Sequence, residues 1–215
     1  MAWSSPGSGL LDLELGRESE LTHYDWITDT TVHDGSAWAY MKNSKYKTTT
    51  DLVHYLIDNV SKNGYMLLNI GPKPDGTIPE EDKNLLEGIG NWLDVNGEAI
   101  FETETWDQYG EGPTKMNEAG PFSDNRAKLI YTAKDFRFTT KDNFLYATAL
   151  GWPSKDFTIE SIYKLFDNEI ERVELLGSTD KVEWKHTRDG LHITRPDNKP
   201  CEHAYSFKIT RKEYL

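Results

Sequence analysis

The 215-residue chain carries a formal net charge of −12, with 28% charged and 37% hydrophobic residues. That balance describes a folded globular protein, and its sign argues against phosphate backbones and anionic membrane surfaces as partners. A single cysteine, Cys201, excludes an internal disulfide and leans towards a reducing compartment.

No apolar run reaches the roughly 20 residues that span a bilayer. The lead "MAWSSPGSGLL" lacks the basic start and apolar core of a signal peptide, so a soluble cytoplasmic or periplasmic protein is expected. No CxxC pair, HExxH or phosphate loop occurs, and the six histidines form no metal-ligand spacing, so neither metal nor cofactor is expected. Aromatic residues reach 12%, including seven Trp and eleven Tyr. Such side chains fill sandwich cores and also suit sugar rings and protein interfaces.

In chain order, "LDLEL" (11–15) alternates strictly. Leu11, Leu13 and Leu15 take one face of a strand, and Asp12 and Glu14 the other. Residues 17–47 read as a long polar and aromatic loop, with a short strand around Trp38–Met41. Thr50 or Asp51 caps a helix over 51–62, with Leu52, Val53, Leu56, Ile57 and Val60 as its apolar stripe and Asn63-Gly64 as its stop. A strand over 65–70 follows, then a Pro- and Gly-rich loop over 71–78. Pro79 opens a second helix to about Val95.

After Gly97 the pattern changes to short runs separated by turn residues. "AIFET", "KLIYTAK", "FRFTTK", "NFLYATALGW", "RVELLG", "VEWKHTRDG", "LHITR" and "AYSFKITR" read as the strands of an antiparallel sandwich. The expected fold is therefore α+β. An incomplete α/β segment resembling part of a barrel occupies 1–98, and a C-terminal β-sandwich occupies 99–215. Two parallel strands cannot close a barrel, so uncovered edges and helix faces predict self-association, with a homo-oligomer as the expected state.

Residues 58–103, "DNVSKNGYMLLNIGPKPDGTIPEEDKNLLEGIGNWLDVNGEAIFET", resemble the end of the catalytic barrel in the α-L-fucosidase family of glycoside hydrolases. "YDWITDTTV" (24–32) resembles that family's Trp-x-Thr-x-Thr segment, and "LDLELGR" (11–17) its Asp-x-Glu-x-Gly stretch. The later residues resemble its C-terminal sandwich in architecture. The resemblance implies a retaining hydrolase acting on a fucosylated glycan or small fucoside. It also implies that the family's nucleophilic Asp, its paired His and its fucose-binding Arg have no counterparts in this stretch.

Glu14 matches the family's motif glutamate, which implies a general acid/base role. Asp12 is the neighbouring charge, and Asp12, Asp25 or Asp29 is the candidate to stand in for the nucleophile. Trp38, in "SAWAY", stands where the family places an aromatic residue against the sugar. Trp26, Arg17 and His23 are further substrate-binding candidates. The bland alternatives are a solvated strand face for Asp12 and Glu14, core packing for Trp26 and Trp38, ordinary surface roles for Arg17 and His23, and a cap for Asp29. At the level of the whole chain, the alternatives to a hydrolase are a non-catalytic carbohydrate-binding module and an inactive fragment.

Overall fold

The computed structural model of the chain describes residues 9–35, 37–125 and 128–212; most of the lead sequence lies outside them. Strand β1 (Leu11–Asp12), β2 (Trp26–Thr31) and β3 (Gly64–Asn69) form a parallel sheet in the order β1-β2-β3. The parallel region thus has three strands where two were expected. The added one, β2, runs through the stretch read as irregular loop. Trp38–Met41 forms no strand.

Helix α1 (Thr49–Ser61) is capped by Thr48, two residues before Thr50 and three before Asp51, the caps expected from the sequence. Thr48 Oγ1 accepts from the Asp51 backbone N–H at 3.1 Å, and the Asp51 carboxylate accepts from the Thr48 N–H at 3.0 Å. This reciprocal capping box satisfies two amides that the first turn would leave bare. At the other end Asn63 adopts a left-handed φ of 71° and turns the chain into β3. Helix α2 (Glu80–Asn96) begins after Pro79 with Glu80, Glu81 and Asp82 in its first turn, where acidic groups favour the helix dipole.

The sandwich is built of β4 (Glu104–Glu111), β5 (Phe136–Lys141), β6 (Phe144–Ala149), β7 (Phe157–Ile159), β8 (Ile170–Leu175), β9 (Trp184–Thr187), β10 (Gly190–Ile193) and β11 (Tyr205–Arg211). A five-stranded antiparallel sheet, β4-β5-β6-β11-β8, faces a three-stranded one, β7-β10-β9. Two expected strands are absent. "AIFET" is a 3-10 turn from Gly97 to Ala99 followed by Glu102 at φ 58°, and "KLIYTAK" is irregular.

Residue alternation explains the layering. On β5, Phe136 and Phe138 enter the sandwich core with Leu145, Ala147, Phe207 and Ile209. Arg137 and Thr139 point the other way, towards the helices. The five-stranded sheet is therefore covered on both faces, by the small sheet on one and by α1 and α2 on the other. A second core of Leu52, Val53, Ile57, Leu85, Ile89 and Trp92 fills the helix layer and reaches Leu150 and Ala204 of the sandwich. The Trp92 indole N–H donates to the Ala204 carbonyl at 2.9 Å, and the Ser206 N–H donates to Asn96 Oδ1 at 3.2 Å.

Where the layers meet lies a buried cluster of charges. Asp58 of α1 is fully buried. It receives Arg137 Nε of β5 at 2.6 Å, Lys62 Nζ at 2.9 Å and Arg17 Nη1 at 3.4 Å. Arg17 also holds Asp124 at 3.1 Å. The rings of Tyr55, Tyr109 and Tyr131 lie against these cations. Burial alone would raise the Asp58 pKa, but Lys62, Arg137 and Arg17 together hold it well below its ordinary value of 3.8. For Lys62 the balance falls the other way: burial lowers its pKa despite Asp58.

The sheet has its own close fit. A Cβ on Gly64 would come within 2.4 Å of the Trp26 ring, which is fully buried against it.

Three outcomes follow from this packing. Asp58→Asn should cost about 3–5 kcal/mol in urea denaturation at pH 7, since it strands three buried cations. Because folding lowers the Asp58 pKa, its stabilisation is complete above that ordinary value and is lost as the pH falls below it. The wild-type stability should therefore drop between roughly pH 4 and pH 2, and the variant's much less. Gly64→Ala should cost about 1–3 kcal/mol in the same assay, because a backbone-fixed methyl meets an indole that cannot move.

Candidate active site

A strand's two faces alternate, and the parallel register decides what each face of the β1-β2-β3 sheet displays. Trp26, Thr28 and Thr30 point towards the helices. The Thr28 hydroxyl lies 2.9 Å from the Tyr55 hydroxyl, and Lys47 Nζ donates to Thr30 Oγ1 at 3.2 Å. The opposite face carries Ile27, Asp29 and Thr31 on β2, paired with Tyr65, Leu67 and Asn69 on β3. Among the described residues, none covers this face fully: Tyr65 is 54% and Leu67 58% exposed.

Asp12 pairs with Ile27 on the same face. The ladder continues beyond β1, with the Leu13 N–H donating to the Ile27 carbonyl at 2.8 Å and the Leu15 N–H to the Asp29 carbonyl at 2.9 Å. This order sets Glu14 beside Asp29, while Leu13 and Leu15 are buried behind them. Three carboxyl groups, Asp12, Glu14 and Asp29, thus meet at the C-terminal end of adjacent parallel strands. That is the end at which α/β barrels place their reactive groups.

Their proximity has an electrostatic result. Partial burial raises the Asp29 pKa, the Asp12 carboxyl beside it raises it further, and Glu14 adds a smaller push. One Asp29 oxygen, Oδ1, is buried without a hydrogen-bond partner. A carboxyl so placed holds a proton at a pH where an isolated aspartate has lost it.

Asn69 ends β3 on this face, and its Nδ2 donates to the Trp38 carbonyl at 2.8 Å. That bond ties the loop carrying the half-buried Trp38 to the end of the sheet. Gly71 tightens the same corner, because a Cβ there would lie 2.8 Å from the Tyr40 amide nitrogen. The loop turns in front of His33, a fully buried imidazole whose two nitrogens have no hydrogen-bond partner and whose ring packs on Tyr46 at 4.8 Å.

The other substrate-binding candidates sit elsewhere. Trp26 is on the helix side, wholly buried, with its indole N–H donating to the Lys62 carbonyl at 3.2 Å. Arg17 is committed to Asp58 and Asp124 in the buried charge cluster. His23 and Asp25 are exposed and precede β2, at the opposite end of the strands from the three carboxyl groups. The charge cluster was not singled out from sequence, although Asp58 and Lys62, one helical turn apart, were its visible trace. Among the described residues, no group of three or more His, Cys, Asp or Glu could hold a metal ion, and no helix is long and apolar enough to cross a membrane.

The sequence profile of the alpha-L-fucosidase family matches residues 8–98, and that of the alpha-L-fucosidase C-terminal domain matches residues 128–210. Plasma alpha-L-fucosidase of Pongo abelii is 31% identical over 198 residues, covering 88% of this chain and 38% of the relative. Tissue alpha-L-fucosidase of Rattus norvegicus is 29% identical over 203 residues, covering 91% and 39%. The chain thus spans about two-fifths of the length of these relatives. Among solved structures, an alpha-L-fucosidase superposes with a TM-score of 0.76 at 25% identity, covering 97% of this chain and 44% of the other. The Thermotoga maritima alpha-fucosidase in complex with fucose superposes at 0.69 with 27% identity, covering 95% and 43%.

Three measurements address the geometry. In a carboxyl NMR titration, Asp12→Asn should lower the Asp29 pKa towards its ordinary value of 3.8. Since folding raises that pKa, the ionised Asp29 opposes folding at neutral pH, and Asp29→Asn should raise the urea midpoint at pH 7. Asn69→Ala should speed amide exchange in residues 37–41 by about fivefold or more, as expected for loss of one hydrogen bond of about 1 kcal/mol.

Proposed function

Since the chain belongs to the α-L-fucosidase family, we propose that it forms the carboxylate-bearing part of a glycoside-hydrolase site that cleaves α-linked L-fucose. The observation that carries this reading is the convergence of Asp12, Glu14 and Asp29 on one sheet face, with the Asp29 pKa raised.

Glycoside cleavage needs one carboxyl group that gives a proton to the leaving oxygen and a second that meets the positive charge developing on the sugar ring. Asp12 and Asp29 stand side by side on the sheet face, and in this reading the negative charge of this pair faces the anomeric carbon. Glu14, beside Asp29, exchanges its proton with the leaving oxygen and later with water. Trp38, held by Asn69, closes the site and offers an apolar wall to the sugar. The open face of Tyr65 and Leu67 is proposed to be covered by a second copy of the chain, giving a homo-oligomer.

The test is release of nitrophenol from an aryl α-L-fucoside by the purified chain. Glu14→Gln should lower the rate by about 10²–10⁴-fold, the usual worth of a general acid. Undiminished hydrolysis by that variant would overturn the assignment of Glu14. An inactive wild type that still binds fucose would replace the hydrolase reading with a carbohydrate-binding one. Light scattering should give a mass above that of one chain, and a monomer would remove the proposed covering of the open face.

A further inference from the structure

The sandwich holds a second candidate site, remote from the three carboxyl groups. A cavity of about 640 Å³ opens at one end of the sandwich, between β4, β6 and β11 of the large sheet and β9 of the small one. None of its lining residues lies on the face that carries Asp12, Glu14 and Asp29. Its volume falls within the range of small-ligand pockets and exceeds what core packing leaves empty.

The lining combines two kinds of surface. Trp106 forms a fixed wall, its indole set edge-on to Phe138 at 5.1 Å and 81°. Tyr163, Leu165 and Phe166 form the rim and are 50%, 72% and 50% exposed, a dense run of large apolar side chains for a protein surface. This rim is anchored, because the Glu169 carboxylate accepts from the Leu165 N–H at 2.7 Å and also from the Phe166 N–H. Between wall and rim stand polar side chains held in place by one another. Ser161 Oγ donates to Gln108 Oε1 at 2.9 Å, and Arg211 Nη2 donates to Thr140 Oγ1 at 2.9 Å. Asp107, Asp142 and Glu169 oppose Arg211 and Lys212, so the lining has no excess of positive charge and disfavours an anionic ligand.

Flat aromatic walls, fixed amides and carboxylates, and near-neutral charge together match a molecule with apolar faces and several hydroxyl groups. We propose that this cavity binds a neutral saccharide unit, as a glycan-holding site separate from the carboxylate face. The cavity and its chemistry stand on the structure alone; the choice of a glycan over other polyhydroxylated ligands rests on the hydrolase reading above.

Heteronuclear NMR of the isotopically labelled chain with 2′-fucosyllactose, lactose and sialyllactose tests this. The two neutral sugars should shift the Trp106 indole N–H and the amides of residues 161–166, and sialyllactose should bind more weakly. Tyr163→Ser with Phe166→Ser, both on the exposed rim, should weaken binding by about tenfold, with circular dichroism unchanged. Glu14→Gln should leave the cavity shifts intact, so hydrolysis and cavity binding fail independently. Shifts confined to the Asp12, Glu14 and Asp29 face would overturn the cavity site and leave the hydrolase reading standing. Rim variants that bind as tightly as the parent, or cavity residues that respond to none of the three sugars, would also overturn it.

Discussion

One buried carboxylate organises this molecule. Asp58 sits between the helix layer and the sandwich, and its cations come from three parts of the chain: Lys62 from the end of its own helix, Arg17 from the turn after β1, and Arg137 from β5. Desolvating one carboxylate and three cations costs more than any single pair returns. The cluster is tolerable only when all members are present, with Asp124 and the tyrosine rings completing it. The α/β segment and the sandwich therefore depend on each other. Helix α1 without β5 would bury an acid facing two cations in a half-open setting, and the sandwich without α1 would expose Arg137 beside apolar rings.

The same cluster positions the candidate site. Arg17 follows Glu14 by three residues, and its anchorage fixes the turn in which the chain leaves β1. The tight Leu13–Gly16 turn, with Leu15 at φ 48°, is held from behind by Tyr55, whose hydroxyl donates to the Gly16 carbonyl at 3.1 Å. Glu14 is thus presented by a corner whose supports are buried ions and a phenol rather than a long strand. Asp29 stands on the middle strand of the sheet, and its burial there is the largest cause of its raised pKa.

Much of this was readable in the sequence where periodicity and physical environment agree. The helices over 49–61 and 80–96 and the β3 strand announce themselves by apolar spacing and by their stops. The β2 strand hid because its helix-facing positions are Thr28 and Thr30, buried by hydrogen bonds to Tyr55 and Lys47 rather than by apolar contact. A polar residue with a dedicated partner looks like loop in a pattern of hydrophobicity. β4 hid for a related reason: "ETWDQYGE" meets charges and rings on one side and a cavity on the other. "AIFET" erred in the opposite direction, since its apolar residues cap the helix layer as a turn. Of the residues singled out for binding, Trp26 and Arg17 owe their places to the core and the charge cluster, which no local pattern distinguishes from a ligand site.

The β4 strand also constrains what can happen to this sequence. Trp106 and Tyr109 stand three residues apart, across a register shift in the pairing with β5 between Thr105 and Gly110. The indole faces the sandwich interior, and the phenol lies by Lys62 and Arg137. Inserting or deleting one residue between them would bring both rings to the same side, so that one of them loses its place. Point substitutions in this strand can be absorbed singly, whereas length changes cannot. The spacing from Trp106 to Tyr109 should therefore be among the least negotiable distances along the chain, though neither residue touches the three carboxyl groups.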